Sequence, residues 1–143
     1  KYVPGRGPVL VEFNNRMMGS GQPMLAELAT GESQIGRTVL AYTDPEAFMR
    51  LAPGYVIKKY AAVVTLNNDH AGSRLSAQSD ALISAVPGYQ THGFLFAKGV
   101  EMPLTIDMLS SIGDVFILRN SPQEIQDSIS FIRSLEASGA LFE

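Results

Sequence analysis

The sequence predicts an α+β fold, with a mixed β-sheet of about five or six strands packed against about four helices. Short runs rich in Val, Ile, Phe and Tyr, which are typical of strands, alternate with segments whose apolar residues recur at helical spacing. Proline and glycine mark the ends of several of these segments. The 143 residues, 45% of them apolar, suffice for one core, so we expect a single domain over residues 1–143. Because the chain begins with Lys1 rather than methionine, we expect it to be part of a longer protein.

The N-terminal region predicts three strands. Val9–Phe13 and Met24–Leu28 are apolar runs separated by a long turn that contains Asn14, Asn15 and the stretch Gly19–Gly21. The run Thr38–Tyr42 has the β-branched and aromatic content of a third strand. A change of period after it indicates that a helix follows.

The segment that starts at Thr43 and Asp44 has the residues of a helix N-terminus. Either side chain can accept a hydrogen bond from a free amide of the first turn, Pro45 has a helical φ, and Glu46 can complete a capping box. Pro53-Gly54 would end this helix. We expect its buried residues to be Phe48, Leu51 and Ala52.

The remaining chain predicts two further helices, three strands and a well-marked C-terminal helix. We expect strands at 55–66, 94–96 and 115–118, with a loop over 67–72. Helical spacing predicts helices over 75–86 and 104–112, each closed by a glycine. Ser121-Pro122-Gln123-Glu124 opens the last helix, whose buried residues are expected to be Ile125, Ile129, Ile132 and Leu135, and Gly139 closes it.

The composition argues against several classes of function. The chain has 11 basic and 14 acidic residues and a formal charge of −3, so a nucleic-acid partner is not expected. The absence of cysteine excludes thiolate nucleophiles, iron–sulfur clusters and cysteine zinc sites. We predict no cofactor and no membrane insertion. Composition assigns no compartment, and the cytoplasm is the default.

The polar residues after the 55–66 strand are the best candidates for catalysis. Asp69 could orient His70 as a base, and Ser73 or Ser76 could be its nucleophile. No G-x-S-x-G turn surrounds either serine, so we predict a structural loop over Asn67–Ser73 whose polar groups satisfy their own backbone, with no catalytic residue. His92 is the only other histidine, and no spacing typical of metal ligands supports a metal site.

Three methionines near the N-terminal turn are candidates for a partner-binding surface. Met17, Met18 and Met24 place flexible apolar side chains around a glycine-rich segment with little else to bury them. The alternative is that Met24 turns into the core while the other two lie free in solvent. At least one of Met17 and Met18 should be exposed.

Two segments carry a family resemblance. Tyr42-Thr43-Asp44-Pro45-Glu46-Ala47-Phe48 stands at a helix start, and His92-Gly93-Phe94-Leu95-Phe96 precedes Met102-Pro103-Leu104-Thr105. Over about 39–112 the chain resembles the SseB N-terminal-type domain, whose members carry an aromatic-Thr-(Ser or Asp)-x-Glu-Ala segment before a helix. The resemblance implies an α+β domain and gives no catalytic residues to carry over.

These observations lead to two main hypotheses of function. The first is a non-catalytic protein-binding or assembly module of a larger protein, which binds a protein partner or a second copy of itself. The second is a small hydrolase or transferase that uses Asp69 and His70 with a nearby serine. A small-ligand sensor is a third possibility, and it would require an apolar pocket between the sheet and the helices.

Overall fold

The α+β fold class is confirmed by a computed structural model that describes residues 1–14 and 16–143. Asn15, which we assigned to the N-terminal turn, lies outside the described residues. The described chain forms five strands, five α-helices and one 3₁₀ turn. In chain order they are β1 (Tyr2–Val3), β2 (Gly7–Pro8), α1 (Gln22–Thr30), α2 (Gln34–Thr43), α3 (Pro45–Met49), β3 (Tyr60–Leu66), α4 (Ser79–Ser84), β4 (Tyr89–Phe94), the 3₁₀ turn (Met108–Ser110), β5 (Gly113–Arg119) and α5 (Pro122–Ala137).

The strands divide between two antiparallel sheets. β1 and β2 form a short ribbon, while the main sheet has the order β3-β5-β4. In the main sheet Tyr60 lies opposite Arg119, Leu66 lies opposite Gly113, and His92 lies opposite Val115. The last strand in the sequence is therefore the central strand of the sheet.

Helices cover both faces of the main sheet. Because side chains alternate along a strand, Val115 and Ile117 face one side of β5 and Phe116 faces the other. Val115 and Ile117 join the main core with Ile125 and Ile132 of α5. On the opposite face the ring of Phe116 lies against the start of α1, whose buried residues are Pro23, Leu25 and Ala29.

The predicted C-terminal helix is confirmed. The Ser121 hydroxyl accepts a hydrogen bond from the Glu124 amide at 3.2 Å, and the Glu124 carboxylate accepts one from the Asn120 amide at 2.8 Å. The apolar stripe lies toward the sheet, with Ile125 and Ile132 buried and Ile129 and Leu135 partly buried. The helix is therefore fixed at its start by its own cap and along its length by the core.

Two predicted strands are helices. Met24–Leu28 lies within α1, which has Pro23 in its first turn and ends at Gly31 with a left-handed φ of 79°. Thr38–Tyr42 lies within α2, where the Ser33 hydroxyl caps the Gly36 amide at 3.1 Å. The Thr38–Tyr42 prediction was wrong because a cap and tertiary contacts outweighed the β-propensity of Thr38, Val39 and Tyr42. The Met24–Leu28 prediction was wrong because Met, Leu, Ala and Glu are all good helix formers.

The predicted helix at Pro45 exists but is shorter than expected. The Asp44 carboxylate accepts a hydrogen bond from the Ala47 amide at 2.9 Å, as predicted, and the helix ends at Met49. The predicted buried stripe is wrong, since Leu51 and Ala52 are exposed and Phe48 is only half-buried. The helix packs mainly on α2 rather than on the sheet.

The other boundaries differ from the predictions in informative ways. β3 begins at Tyr60, because Lys58 and Lys59 donate their amides to the Ala29 carbonyl instead of joining the sheet. The predicted strand at 94–96 shares only Phe94 with β4, which spans Tyr89–Phe94, so that prediction was misplaced toward the C-terminus. The predicted helices over 75–86 and 104–112 shrink to α4 and the 3₁₀ turn. Leu75 and Ile112 lie outside these helices but are fully buried. The apolar spacing that predicted the helices therefore identified buried positions correctly, although the backbone there is not helical.

Within the described residues, no helix combines the length and the apolar content that crossing a bilayer requires.

Candidate functional site

The segment that follows β2 carries a group of polar side chains that the sequence analysis did not single out. Glu12 lies inside the run Val9–Phe13, and Asn14 and Arg16 follow that run at every second position. The Asn14 side-chain amide donates to a Glu12 carboxylate oxygen at 2.9 Å. Arg16 makes a 3.5 Å contact with the Met17 carbonyl and pairs with no carboxylate among the described residues. The segment thus presents a carboxylate, an amide and a guanidinium that are exposed to solvent.

Asn14 and Arg16 border an open cleft beside α2. The cleft has a volume of about 450 Å³ and is lined by Asn14, Arg16, Met17, Gln34 and Thr38. Two smaller hollows of about 160 and 290 Å³ adjoin it and share Gln34 as a lining residue. We refer to the three together as the Gln34 cleft.

The Gln34 side chain lines this cleft, and its oxygen is an acceptor that is not exposed to solvent. That oxygen has no hydrogen-bond partner among the described residues. A buried polar atom without a partner costs about 1–3 kcal/mol, so a ligand that donates an N–H or O–H would recover that free energy once the side chain turned its oxygen toward the cleft.

One wall of the Gln34 cleft is held in place by Arg37. Its guanidinium forms an ion pair with Glu32, in which Nε donates to a carboxylate oxygen at 2.8 Å, and it also donates to the Ala52 carbonyl at 3.3 Å. The same group lies 4.5 Å from the centre of the Tyr55 ring, a cation–π arrangement. Arg37 is thus committed to structure, whereas Arg16 is free to meet an anionic ligand.

The loop that carries the catalytic candidates Asp69, His70 and Ser73 centres on a buried asparagine. The Asn68 side chain donates to the Pro103 carbonyl at 2.8 Å, and its oxygen accepts from the His70 amide and the Ser73 hydroxyl, each at 3.0 Å. Its own amide donates to the Thr105 hydroxyl at 2.9 Å. Asn68 therefore ties the end of β3 to the segment before the 3₁₀ turn.

The structure does not assemble Asp69, His70 and Ser73 into a reactive group. The His70 Nε2 atom lies 3.1 Å from the Glu136 carbonyl, and the ring packs against Phe142 at 5.2 Å between centres. The Ser73 hydroxyl is buried and donates to Asn68 rather than to His70, and Asp69 is exposed. No hydrogen bond joins these three side chains to one another in the described structure.

The second histidine belongs to a chain of hydrogen bonds between β4 and α4. The Tyr89 hydroxyl lies 2.8 Å from His92 Nδ1, and His92 Nε2 lies 3.0 Å from an Asp80 oxygen. Lys98 pairs with the other Asp80 oxygen, and this bond, together with the one from His92, lowers the pKa of Asp80 below its ordinary 3.8. The described residues contain no group of three or more His, Asp or Glu side chains placed to hold a metal ion by themselves.

The three candidate methionines are all partly exposed. Met17, Met18 and Met24 each expose between 42% and 45% of their surface. This exposure agrees with the prediction that at least one of Met17 and Met18 would be accessible. Both residues also line the Gln34 cleft. Their role in binding a partner stays a prediction.

The sequence analysis missed Glu12, Asn14, Arg16 and Gln34. A signal for the first three was present, because charged and amide residues at every second position share one face of an extended segment. A single glutamate inside the apolar run Val9–Phe13 is a further sign. Gln34 offers no such signal, since the burial of its oxygen depends on the tertiary structure.

Comparison with known proteins finds a similarity to an enzyme. The chain is 28% identical over 134 residues to the dapdiamide A synthase of Enterobacter agglomerans. The match covers 92% of this chain and 31% of the length of that synthase. No protein-family model and no solved structure matches the chain, and the resemblance to the SseB N-terminal-type domain stays a prediction.

This similarity corrects the leading hypothesis of function. The chain was expected to be a non-catalytic protein-binding or assembly module, with an adaptor role. A match to a synthase along nearly the whole chain contradicts that expectation. The expectation was based on the lack of nucleophile and metal-ligand patterns in the sequence. Such patterns do not reveal sites that act by binding and orienting substrates.

Proposed function

We propose that this chain is part of a biosynthetic synthase that forms an amide bond between a carboxylic acid and an amine. The similarity to dapdiamide A synthase, which takes in 92% of the chain, carries the proposal. That enzyme is named for a diamide product, and the reaction class is taken from its name. Because the match includes only 31% of that enzyme, this chain would supply part of the complete active site.

Joining a carboxylate to an amine in water requires activation of the carboxylate. We propose that a nucleoside triphosphate supplies it. A carboxylate oxygen attacks the terminal phosphorus, and the bond from that phosphorus to the bridging oxygen breaks to release nucleoside diphosphate. The amine then attacks the acyl carbon, inorganic phosphate leaves, and the proton lost by the amine passes to solvent.

The polar residues after β2 have the chemistry that this reaction needs. Carboxylate and amide oxygens, as on Glu12 and Asn14, suit a divalent cation bound together with substrate phosphates. Mg²⁺ commonly keeps several waters and takes only one or two protein ligands in such sites, so a larger acidic cluster is not required. The unpaired guanidinium of Arg16 suits a phosphate oxygen.

The Gln34 cleft supports the proposal as a place for the organic substrate. Its buried Gln34 oxygen can accept a hydrogen bond from an amine or amide N–H. Met17 and Met18 give it adaptable apolar walls. The cleft adjoins Asn14 and Arg16, so a substrate there would lie beside the proposed phosphate site.

The test is an amide-synthesis assay on the natural full-length protein. ATP, Mg²⁺ and a panel of amino acids and amino-acid amides are supplied, and phosphate release and product mass are measured. We expect phosphate release that depends on both an acid and an amine. Glu12→Gln and Arg16→Ala should each lower the rate by about a hundredfold, since each removes a charge that faces the transferring phosphate.

Matched controls are available in α3 and at its end. Glu46→Gln and Arg50→Ala make the same chemical changes at exposed positions that do not line the Gln34 cleft, and their rates should stay within about twofold of the parent. Wild-type protein that forms no amide across the panel would contradict the reaction class. Unchanged rates in both Glu12→Gln and Arg16→Ala would remove these residues from the site.

A further inference from the structure

The segment over residues 9–13 has the composition of a strand but little of its contacts. Four of its five residues, Val9-Leu10-Val11-Glu12-Phe13, are apolar, and three of these are β-branched or aromatic. Leu10, Val11 and Phe13 each expose at least 76% of their surface. Such a run of exposed apolar side chains is typical of a surface that another element covers.

The backbone of the segment continues an existing antiparallel ladder. Tyr2 lies opposite Pro8 and Val3 opposite Gly7 in the ribbon of β1 and β2. One further pair extends it, because the Val9 amide donates to the Lys1 carbonyl at 2.7 Å and the Lys1 amino nitrogen donates to the Val9 carbonyl at 2.9 Å. Beyond Val9, no backbone hydrogen bond joins residues 10–14 to the other described residues.

We propose that residues 9–13 form a β-strand by pairing with an antiparallel strand from the rest of a longer enzyme, placed in line with β1. The dapdiamide A synthase that this chain matches has about two-thirds of its length outside the match, which is ample chain to supply the strand. Continuity with the ladder of β1 and β2 determines on which side of the segment that strand lies. This inference concerns assembly of the fold and does not depend on the proposed reaction.

The register of the ladder predicts which backbone groups the incoming strand binds. Lys1 and Val9 exchange both of their hydrogen bonds, and such pairs recur at every second residue of an antiparallel ladder. The N–H and C=O groups of Val11 and Phe13 therefore face the incoming strand, while those of Leu10 and Glu12 face away from it. Pairing would also hold Glu12 and Asn14 on one face of a rigid strand.

Amide hydrogen exchange on the natural full-length protein tests this pattern. We expect the Val11 and Phe13 amides to exchange at least about a hundredfold more slowly than the Leu10 and Glu12 amides. The Val64 amide, in the main sheet, is the internal standard for a protected strand. Equal exchange at all four positions, at the rate of an unstructured peptide, would overturn the proposal. Protection of Leu10 and Glu12 alone would overturn the register.

A pair of proline variants tests the same claim without exchange data. Val11→Pro removes a proposed ladder donor, whereas Leu10→Pro removes an N–H that faces away from the proposed strand. The full-length protein should lose clearly more thermal stability with Val11→Pro than with Leu10→Pro, and equal losses would contradict the proposal. A second copy of the chain is the competing partner for residues 9–13, and sedimentation of the 143-residue chain measures its self-association. If the Val11 and Phe13 amides become protected only at concentrations where the chain self-associates, the partner is a second copy and the proposal is overturned.

Discussion

Truncation of Ile132 tests whether the C-terminal helix holds the core together. Ile132 is fully buried on the inner face of α5, where it joins the core formed by Val115 and Ile117 of the central strand. Ile132→Ala removes the outer carbons of the side chain, which is worth about 2 kcal/mol of transfer free energy at about 0.8 kcal/mol per group. The cavity left behind raises the expected loss of unfolding free energy to about 3 to 4 kcal/mol.

Urea denaturation gives the measurement, with the midpoint and the slope of the unfolding free energy recorded for each variant. Ile129, one turn earlier and only partly buried, is the matched control, and its truncation should cost about half as much. Ile132→Val should cost about 0.5 to 1.5 kcal/mol and so be the mildest of the three variants. A loss below about 1 kcal/mol for Ile132→Ala, with an unchanged slope, would refute the assignment of α5 to the core.

Three other predictions concern residues outside the core. Replacing Met17 and Met18 together by serine should leave the free energy of unfolding within about 0.5 kcal/mol in urea titrations, since both are exposed, and a larger loss would make them core residues. His70→Ala should leave the rate of amide synthesis nearly intact, because the ring is hydrogen-bonded to backbone, and a hundredfold loss in a normally folded variant would restore His70 as a catalytic candidate. Asp80 has a lowered pKa because of Lys98, so it stabilises the fold above its ordinary 3.8 and this contribution is lost as the pH falls through the lowered value. Thermal melts of Asp80→Asn should therefore differ from the parent near pH 6 and converge with it near about pH 2, and a constant difference would contradict the ion pair.

The parts of the fold that sequence could predict are those where local and tertiary preferences agree. α5 has a serine cap, a proline in its first turn and an apolar stripe that the core uses, so its start was read correctly. α2 gave conflicting signals, because Thr38, Val39 and Tyr42 favour a strand while Ser33 marks a helix start. In α1 the residues themselves favour a helix and Gly31 marks its end, so the prediction of a strand at Met24–Leu28 followed the apolar content alone. The run Val9–Phe13 was predicted as a strand, but beyond Val9 it makes no backbone hydrogen bond to another described strand. The proposed hydrogen-exchange experiment tests whether a strand outside this chain pairs with it.

The candidate site was less accessible to sequence reasoning than the fold. A serine or a histidine can be picked out of a sequence as a catalytic candidate from its residue type alone. In the structure, however, His70 is hydrogen-bonded to the Glu136 carbonyl and Ser73 to the Asn68 side chain. A candidate binding group such as Arg16 becomes conspicuous only once the structure shows that it pairs with no carboxylate among the described residues. That information depends on which elements lie next to each other, and no local pattern contains it.

The strand order of the main sheet determines when it can form during synthesis. β5 lies between β3 and β4, yet it is the last of the three to leave the ribosome. Until it emerges, β3 and β4 have no partner in the sheet, and the apolar stretch of Tyr60–Leu66 leaves its backbone unpaired on both sides. The nascent chain must therefore carry an unpaired, aggregation-prone strand until β5 has also left the ribosome, and a chaperone that binds this stretch in the interval should raise the yield of folded protein.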